Sequence, residues 1–128
     1  MDRETTKKVI VAAICIAVGA LHFLIGPKYN GPFPVIISGY AIDVLLPFSL
    51  VLLSGLPKSR YLTGIVARAT TIFVVAASSE MLQYFGVPVF GSTFDPFDFV
   101  AFAIGILFAC AFEKLFLQKY LIIRADAQ

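Results

Sequence analysis

Four apolar runs, each closed by proline, glycine or charge, divide this 128-residue chain. The first extends from Val9 to about Gly26, after the charged opening Asp2-Arg3-Glu4-Thr5-Thr6-Lys7-Lys8. It stops at Gly26-Pro27, where glycine ends a helix and proline cannot continue one. The second runs from about Val35 to Leu56, between Gly31-Pro32-Phe33-Pro34 and Pro57-Lys58-Ser59-Arg60. The third covers Thr63 to about Val87, and the fourth starts at Asp95-Pro96 and ends near Leu117. A helix of ~20 residues rises ~30 Å, the thickness of the hydrocarbon core of a bilayer. The expected fold is therefore all-α, an integral membrane bundle of four transmembrane helices near 9–26, 35–56, 63–87 and 95–117, making one domain over 1–128. Composition points the same way. Hydrophobic residues make up 59% and charged residues 14%, with a mean hydropathy of +0.91; soluble domains hold about 45–50% apolar and about 25% charged residues. Such a chain cannot clothe itself in polar surface, so the lipid bilayer is its first expected partner. The basic start of the first run resembles a signal peptide. Its apolar stretch, however, continues through Leu21 to Ile25 with no polar region after a small-residue site, so it reads as a retained helix.

Orientation follows from lysine and arginine. Arg3, Lys7 and Lys8 precede the first run, Lys58, Arg60 and Arg68 surround the start of the third, and Lys114, Lys119 and Arg124 follow the fourth; only Lys28 falls in the other loops. This asymmetry predicts both termini in the cytoplasm, with loops 27–34 and 86–94 outside a multi-pass protein of the cytoplasmic membrane. Arg68, close to the inner end of its run, is expected to snorkel to the headgroups. Ala101, Gly105 and Ala109 recur every four residues, as do Ala13 and Ala17, and such strips let helices approach closely. There is no tryptophan, so an interfacial belt would rest on tyrosine and phenylalanine. Cys15 and Cys110 each sit inside an apolar run and read as small core residues rather than as a disulfide or zinc framework.

In this topology the polar residues inside the runs gather at the outer end. His22 lies about one turn from the end of the first helix, and Asp43 about two turns into the second with Tyr40 one turn above it. Ser78, Ser79, Glu80 and Gln83 occupy the outer third of the third helix, Glu80 and Gln83 being three apart and so on one face. Asp95 and Asp98 open the fourth. The inner half holds almost nothing comparable. Asp95-Pro96-Phe97-Asp98 also has the form of a helix start, with Asp95 as N-cap, Pro96 at the first helical position and Asp98 facing free amides. Capping does not account for Glu80 or Asp43, which stand within the spans, where a carboxylate is costly unless it has a partner or a function. Pro47, four residues after Asp43, gives the second helix a local kink and a freed carbonyl. His22 reads first as a packing histidine, or as a partner of Glu80.

The sequence Tyr40-x-x-Asp43, Ser79-Glu80-Met81-Leu82-Gln83, then Ser92-Thr93-Phe94-Asp95-Pro96-Phe97-Asp98-Phe99-Val100-Ala101-Phe102 with Gly105, resembles the VanZ-like membrane proteins. It is closest to a sister family of small four-helix bacterial membrane proteins of unknown function. The resemblance covers about residues 40 to 109. It implies the four-helix architecture, a bacterial inner-membrane location, a link to the cell envelope or to glycopeptide resistance, and a site made of Tyr40, Asp43, Glu80, Gln83, Asp95 and Asp98. The sister family often carries Gly before the helix-two aspartate and Tyr three residues before the helix-four glycine, where this chain has Ile42 and Phe102.

Three classes of function fit these residues. The first is an outer acidic site, built from Tyr40, Asp43, Glu80, Gln83, Asp95, Asp98 and His22, that binds a cation, a basic ligand or a partner such as a second copy or another membrane protein. The second is an intramembrane enzyme acting on an envelope lipid head group, with Asp43, Glu80 and Asp98 as catalytic carboxyls. These would also hold Mg²⁺ or another divalent cation, because only Lys28 is available outside to meet a phosphate. The third, a small ion-coupled transporter, lacks a carboxylate in the first helix and a polar path through the inner half. Nucleic-acid binding has no basic patch behind it.

Overall fold

A computed structural model describes residues 2–25, 28–57, 61, 62, 64–89 and 93–118. It is all-helical. Helix α1 covers Arg3–Ala20, α2 Ala41–Ser54, α3 Ile65–Tyr84 and α4 Phe97–Phe112. Wider π-helical turns extend three of them: Leu21–Ile25 after α1, Ile36–Tyr40 before α2 and Glu113–Gln118 after α4. Each helix with its extension is long and apolar enough to cross a membrane, over Arg3–Leu24, Ile36–Ser54, Ile65–Tyr84 and Phe97–Leu117.

Local chemistry explains where these helices begin and end. The charged opening belongs to α1 rather than preceding it, because Asp2 caps the helix: its carboxylate accepts the Thr5 N–H at 2.6 Å and its carbonyl the Thr6 hydroxyl at 2.9 Å. Those bonds hold the Asp2 carboxyl below the ordinary range. Lys8 and Glu4 then pair one turn apart on the exposed face. At the far end of α3, Gly86 takes a positive φ of 83°. Its N–H bonds to the Gln83 carbonyl and that of Val87 to the Leu82 carbonyl, both at 2.9 Å. This is the Schellman arrangement, which glycine permits because it has no Cβ, and it ends the helix at Tyr84 rather than at 87.

The buried apolar cluster comprises Val11, Val51, Leu52, Ile106, Ala109 and Leu117, backed by Ile10, Ile14, Phe48, Ile72 and Phe73. It draws on the first half of α1 and α3 and the second half of α2 and α4, so neighbouring helices run antiparallel and the core sits toward one end. Arg3, Lys7, Lys8, Arg68 and Lys114 belong to that end, here the basic end. Large apolar side chains elsewhere, such as Ile16, Phe23, Val66, Leu107 and Phe108, point outward and are more than half exposed. That is the surface expected of helices solvated by acyl chains.

The small-residue strip of α4 is buried: Ala101 and Ala109 are covered, and Gly105 meets α2 so closely that a Cβ there would collide with the Val44 carbonyl. Pro47 lies inside α2, buried, and has no N–H to give the Asp43 carbonyl. The strip on α1 behaves differently from expectation. Ala13 and Ala17 are exposed, and the helix docks instead through Val11, Ile14, Cys15 and Val18. The Cys15 thiol faces the Ser49 carbonyl at 3.8 Å. Both cysteines are free.

Candidate functional site

At the end of the bundle opposite the basic residues, four carboxylates from three helices come together. The π-helical turn before α2 delivers Tyr40 and the first turn of α2 delivers Asp43. The last part of α3 delivers Glu80, and the start of α4 delivers Asp95 and Asp98. Glu80 is buried, at 4% exposure, and the others are half-buried.

Asp95 binds in two directions. Its Oδ1 accepts the Phe97 N–H at 2.9 Å, and its backbone carbonyl accepts the Asp98 N–H at 3.0 Å. Those bonds cap the first turn of α4. Its Oδ2 accepts the Tyr40 hydroxyl at 2.5 Å, tying α4 to α2. The tyrosine hydrogen bond first, and the Phe97 amide second, hold the Asp95 carboxyl below the ordinary carboxylate range, against a smaller opposing effect of desolvation. Glu80 Oε2 accepts the Asp95 N–H at 3.3 Å, tying α4 to α3. Asp98 lies beside Asp43 and Glu80, and carboxylates so grouped repel one another where water is scarce.

The remaining expected members lie elsewhere. Gln83 does not join the carboxylates: its Nε2 donates to the Val89 carbonyl at 2.8 Å and braces the turn after α3. His22 is exposed on the π-helical turn after α1, edge-on to Phe23 at 4.8 Å, and no hydrogen bond or ion pair links it to Glu80 among the described residues. Ser78 and Ser79 bond back to carbonyls of their own helix. A row of edge-on aromatic contacts, Phe85–Tyr84–Phe94–Phe99–Phe102, passes the same end of the bundle. No group of three or more His, Cys, Asp or Glu among the described residues is arranged to hold a metal ion. The expectation of a divalent cation on Asp43, Glu80 and Asp98 therefore finds no geometric support. A groove of about 470 Å³ between α2 and α4, lined by Val44, Phe48, Phe108 and Phe112 among others, contains none of these carboxylates.

Replacing Tyr40 with Phe tests the Asp95 arrangement directly. Losing the hydroxyl should return the Asp95 carboxyl upward toward the ordinary range, read from the ¹³C carboxyl titration of the labelled residue. The sign follows from linkage: a depressed folded-state pKa contributes stability above the unfolded value, and this is lost as pH falls through the folded one. Tyr40→Phe should therefore shrink the acid sensitivity of the loop before α4. An unchanged Asp95 titration would show that the tyrosine does not set it.

The basic end carries a polar centre that the sequence reading assigned differently. Arg68 does not reach out to headgroups. It is 6% exposed and lies against Glu113, itself 5% exposed. The two make a bidentate pair, Nη1 to Oε2 at 2.9 Å and Nη2 to Oε1 at 2.7 Å. Nη1 also donates to the Val51 carbonyl at 3.1 Å, in the last turn of α2, an oxygen that accepts the Ser54 hydroxyl at 2.7 Å as well. The missing side chain of Gly55 leaves room for the guanidinium, since a Cβ there would strike Nη1. The basic half is thus not empty of buried charge. Arg68 stays inside because a paired, fully bonded guanidinium costs less there than stretching past α2 and α4 to find water.

No family model, no curated protein and no solved structure matches this chain.

Proposed function

We propose that this chain is a small multi-pass membrane protein whose acidic end faces outside the cell and binds a positively charged group. The occupant is an ammonium or guanidinium of a ligand or partner, or a small cation in its place. The observation that carries this reading is the gathering of Asp43, Glu80, Asp95 and Asp98 at one end, tied through Tyr40 to Asp95 and Asp95 to Glu80, with no basic side chain bonded to them among the described residues. The carboxyls of Asp43, Glu80 and Asp98 supply acceptors for several N–H donors, and a charge-assisted bond in such a partly dry place is roughly twice as strong as a neutral one. The row of aromatic rings nearby suits an alkylammonium, whose charge favours ring faces. The outward orientation rests on the basic residues at the other end, the pattern that marks the cytoplasmic side. The likeness of Tyr40, Asp43, Glu80, Asp95 and Asp98 to the VanZ-like pattern supports the same grouping and a role at the bacterial cell envelope.

The test is a thermal-unfolding titration of the protein in detergent with ethylammonium, guanidinium, Na⁺ and Mg²⁺ chlorides, all compared at equal ionic strength. One of the first two should raise the unfolding temperature in a saturable way, by an amount equivalent to about 2.7 kcal/mol at a hundred times its Kd. The shift should vanish in Glu80→Gln/Asp98→Asn while folding persists. A response to Mg²⁺ alone would return the divalent-cation reading. Equal behaviour of wild type and variant in every salt would refute a binding site at these carboxylates.

A further inference from the structure

The buried pair at the basic end has a consequence at the acidic end. Asp98 and Glu113 belong to one continuous helical rod, about 22 Å apart at ~1.5 Å per residue. Glu113 is held by Arg68 of α3, and Asp95, at the entry to α4, gives its N–H to Glu80 of the same α3 at 3.3 Å, beside Asp98. The height at which α4 sits against α3 is therefore fixed twice, once by a bidentate ion pair and once by the carboxyl cluster. Between these points α3 contributes Ala69, Ile72 and Phe73 to the shared apolar cluster, contacts that have no direction of their own. In lipid, moreover, no hydrophobic force favours one apolar register over another.

We infer that Arg68 and Glu113 are positioning residues for the acidic site, selecting the register of α4 on α3 that brings Asp98 to Glu80 and Asp43. Three features give the pair this role. Two parallel N–H···O bonds fix angle as well as distance, which a single contact does not. The third bond, to the Val51 carbonyl, ties the same guanidinium to α2, so all three helices that build the acidic site are referenced to one group. Gly55 keeps the space that this group needs. A slip of one turn, about 5.4 Å, would leave the ion pair without its partner and carry Asp98 out of the cluster. Buried ion pairs are weak sources of net stability against well-packed apolar replacements, and their best-attested use is to specify register.

The experiment separates register from stability. Nitroxide labels are placed on Met81→Cys of α3 and Val100→Cys of α4, both outward-facing at 45% and 55% exposure. Cys15 and Cys110 are replaced by Ala, and the full chain is reconstituted in lipid bilayers. Pulsed electron-resonance distances should show one narrow population with Arg68 and Glu113 present. In Arg68→Met/Glu113→Leu the helices should still form and insert, but the distance should split or broaden, with a second population displaced by up to about one turn. A double variant that folds with the native single distance would overturn the inference. So would one that fails to fold, because the pair would then supply stability rather than choose the register.

Discussion

Replacing Glu113 with Ala is expected to destabilise the bundle by about 3–5 kcal/mol, the cost of leaving a buried guanidinium without its counter-charge. Arg68 has few alternatives. It is 6% exposed, and its Nη1 already gives one bond to the Val51 carbonyl. To recover solvation it must swing out past α2 and α4, breaking that bond and opening the space beside Gly55. Glu113→Gln should cost less, because the amide oxygen can still accept one guanidinium N–H, while Arg68→Ala should be as damaging as Glu113→Ala by stranding the carboxylate instead. Reversible unfolding of the purified protein in mixed micelles, followed by far-ultraviolet circular dichroism, measures the order. If all three variants fall within about 0.5 kcal/mol of wild type, the range of ordinary surface substitutions, the pair is not the buried centre described above.

The second large effect is expected at Gly105. A Cβ at this position would meet the carbonyl oxygen, carbonyl carbon and Cα of Val44, all backbone atoms of α2. Backbone cannot rotate aside as a side-chain tip can, so Gly105→Val must push α4 and α2 apart. Overpacking of a filled contact costs about 1–3 kcal/mol and sometimes more. Here it also lifts Ala101 and Ala109 off the same neighbour. Because Val44 follows Asp43, the displacement reaches the acidic end as well, and the variant should lose saturable response to the cationic probe together with stability. Gly19 is the control: nothing lies within 4 Å of a Cβ there. Gly19→Ala should be neutral or stabilising by up to about 1 kcal/mol, the difference in helix propensity. Equal effects at the two glycines would contradict the close α2–α4 contact.

The four helices were legible because a span through lipid leaves an unbroken apolar run, a signal that needs no knowledge of packing. Their ends were less so. Asp2 extends α1 into the charged opening by capping it, and the positive φ of Gly86 stops α3 short of the last apolar residue. Asp43, Glu80, Asp95 and Asp98 were placed at one end by depth alone, and they meet because antiparallel helices bring equal depths together. Gln83 shares a face with Glu80, but it lies in the last turn of α3, so the returning chain at Val89 takes its amide. His22 had depth without direction: its exposed π-helical turn does not bring it to Glu80. Arg68 departs from the snorkelling expected of an arginine near a helix end because Glu113, an opposite charge at matching depth on a neighbouring helix, lets pairing within the bundle compete with reaching water.

In the proposed function, Asp43, Glu80 and Asp98 form one site for a positively charged guest. Infrared difference spectroscopy of the protein in bilayers, before and after addition of the ammonium or guanidinium probe, tests it most directly. A guest that enters the cluster binds carboxyl oxygens, so the carboxyl and carboxylate stretching bands should change in a saturable way, and Asp98→Asn should abolish the whole difference. Spectra unchanged by the probe, or an identical difference in Asp98→Asn, would contradict the site.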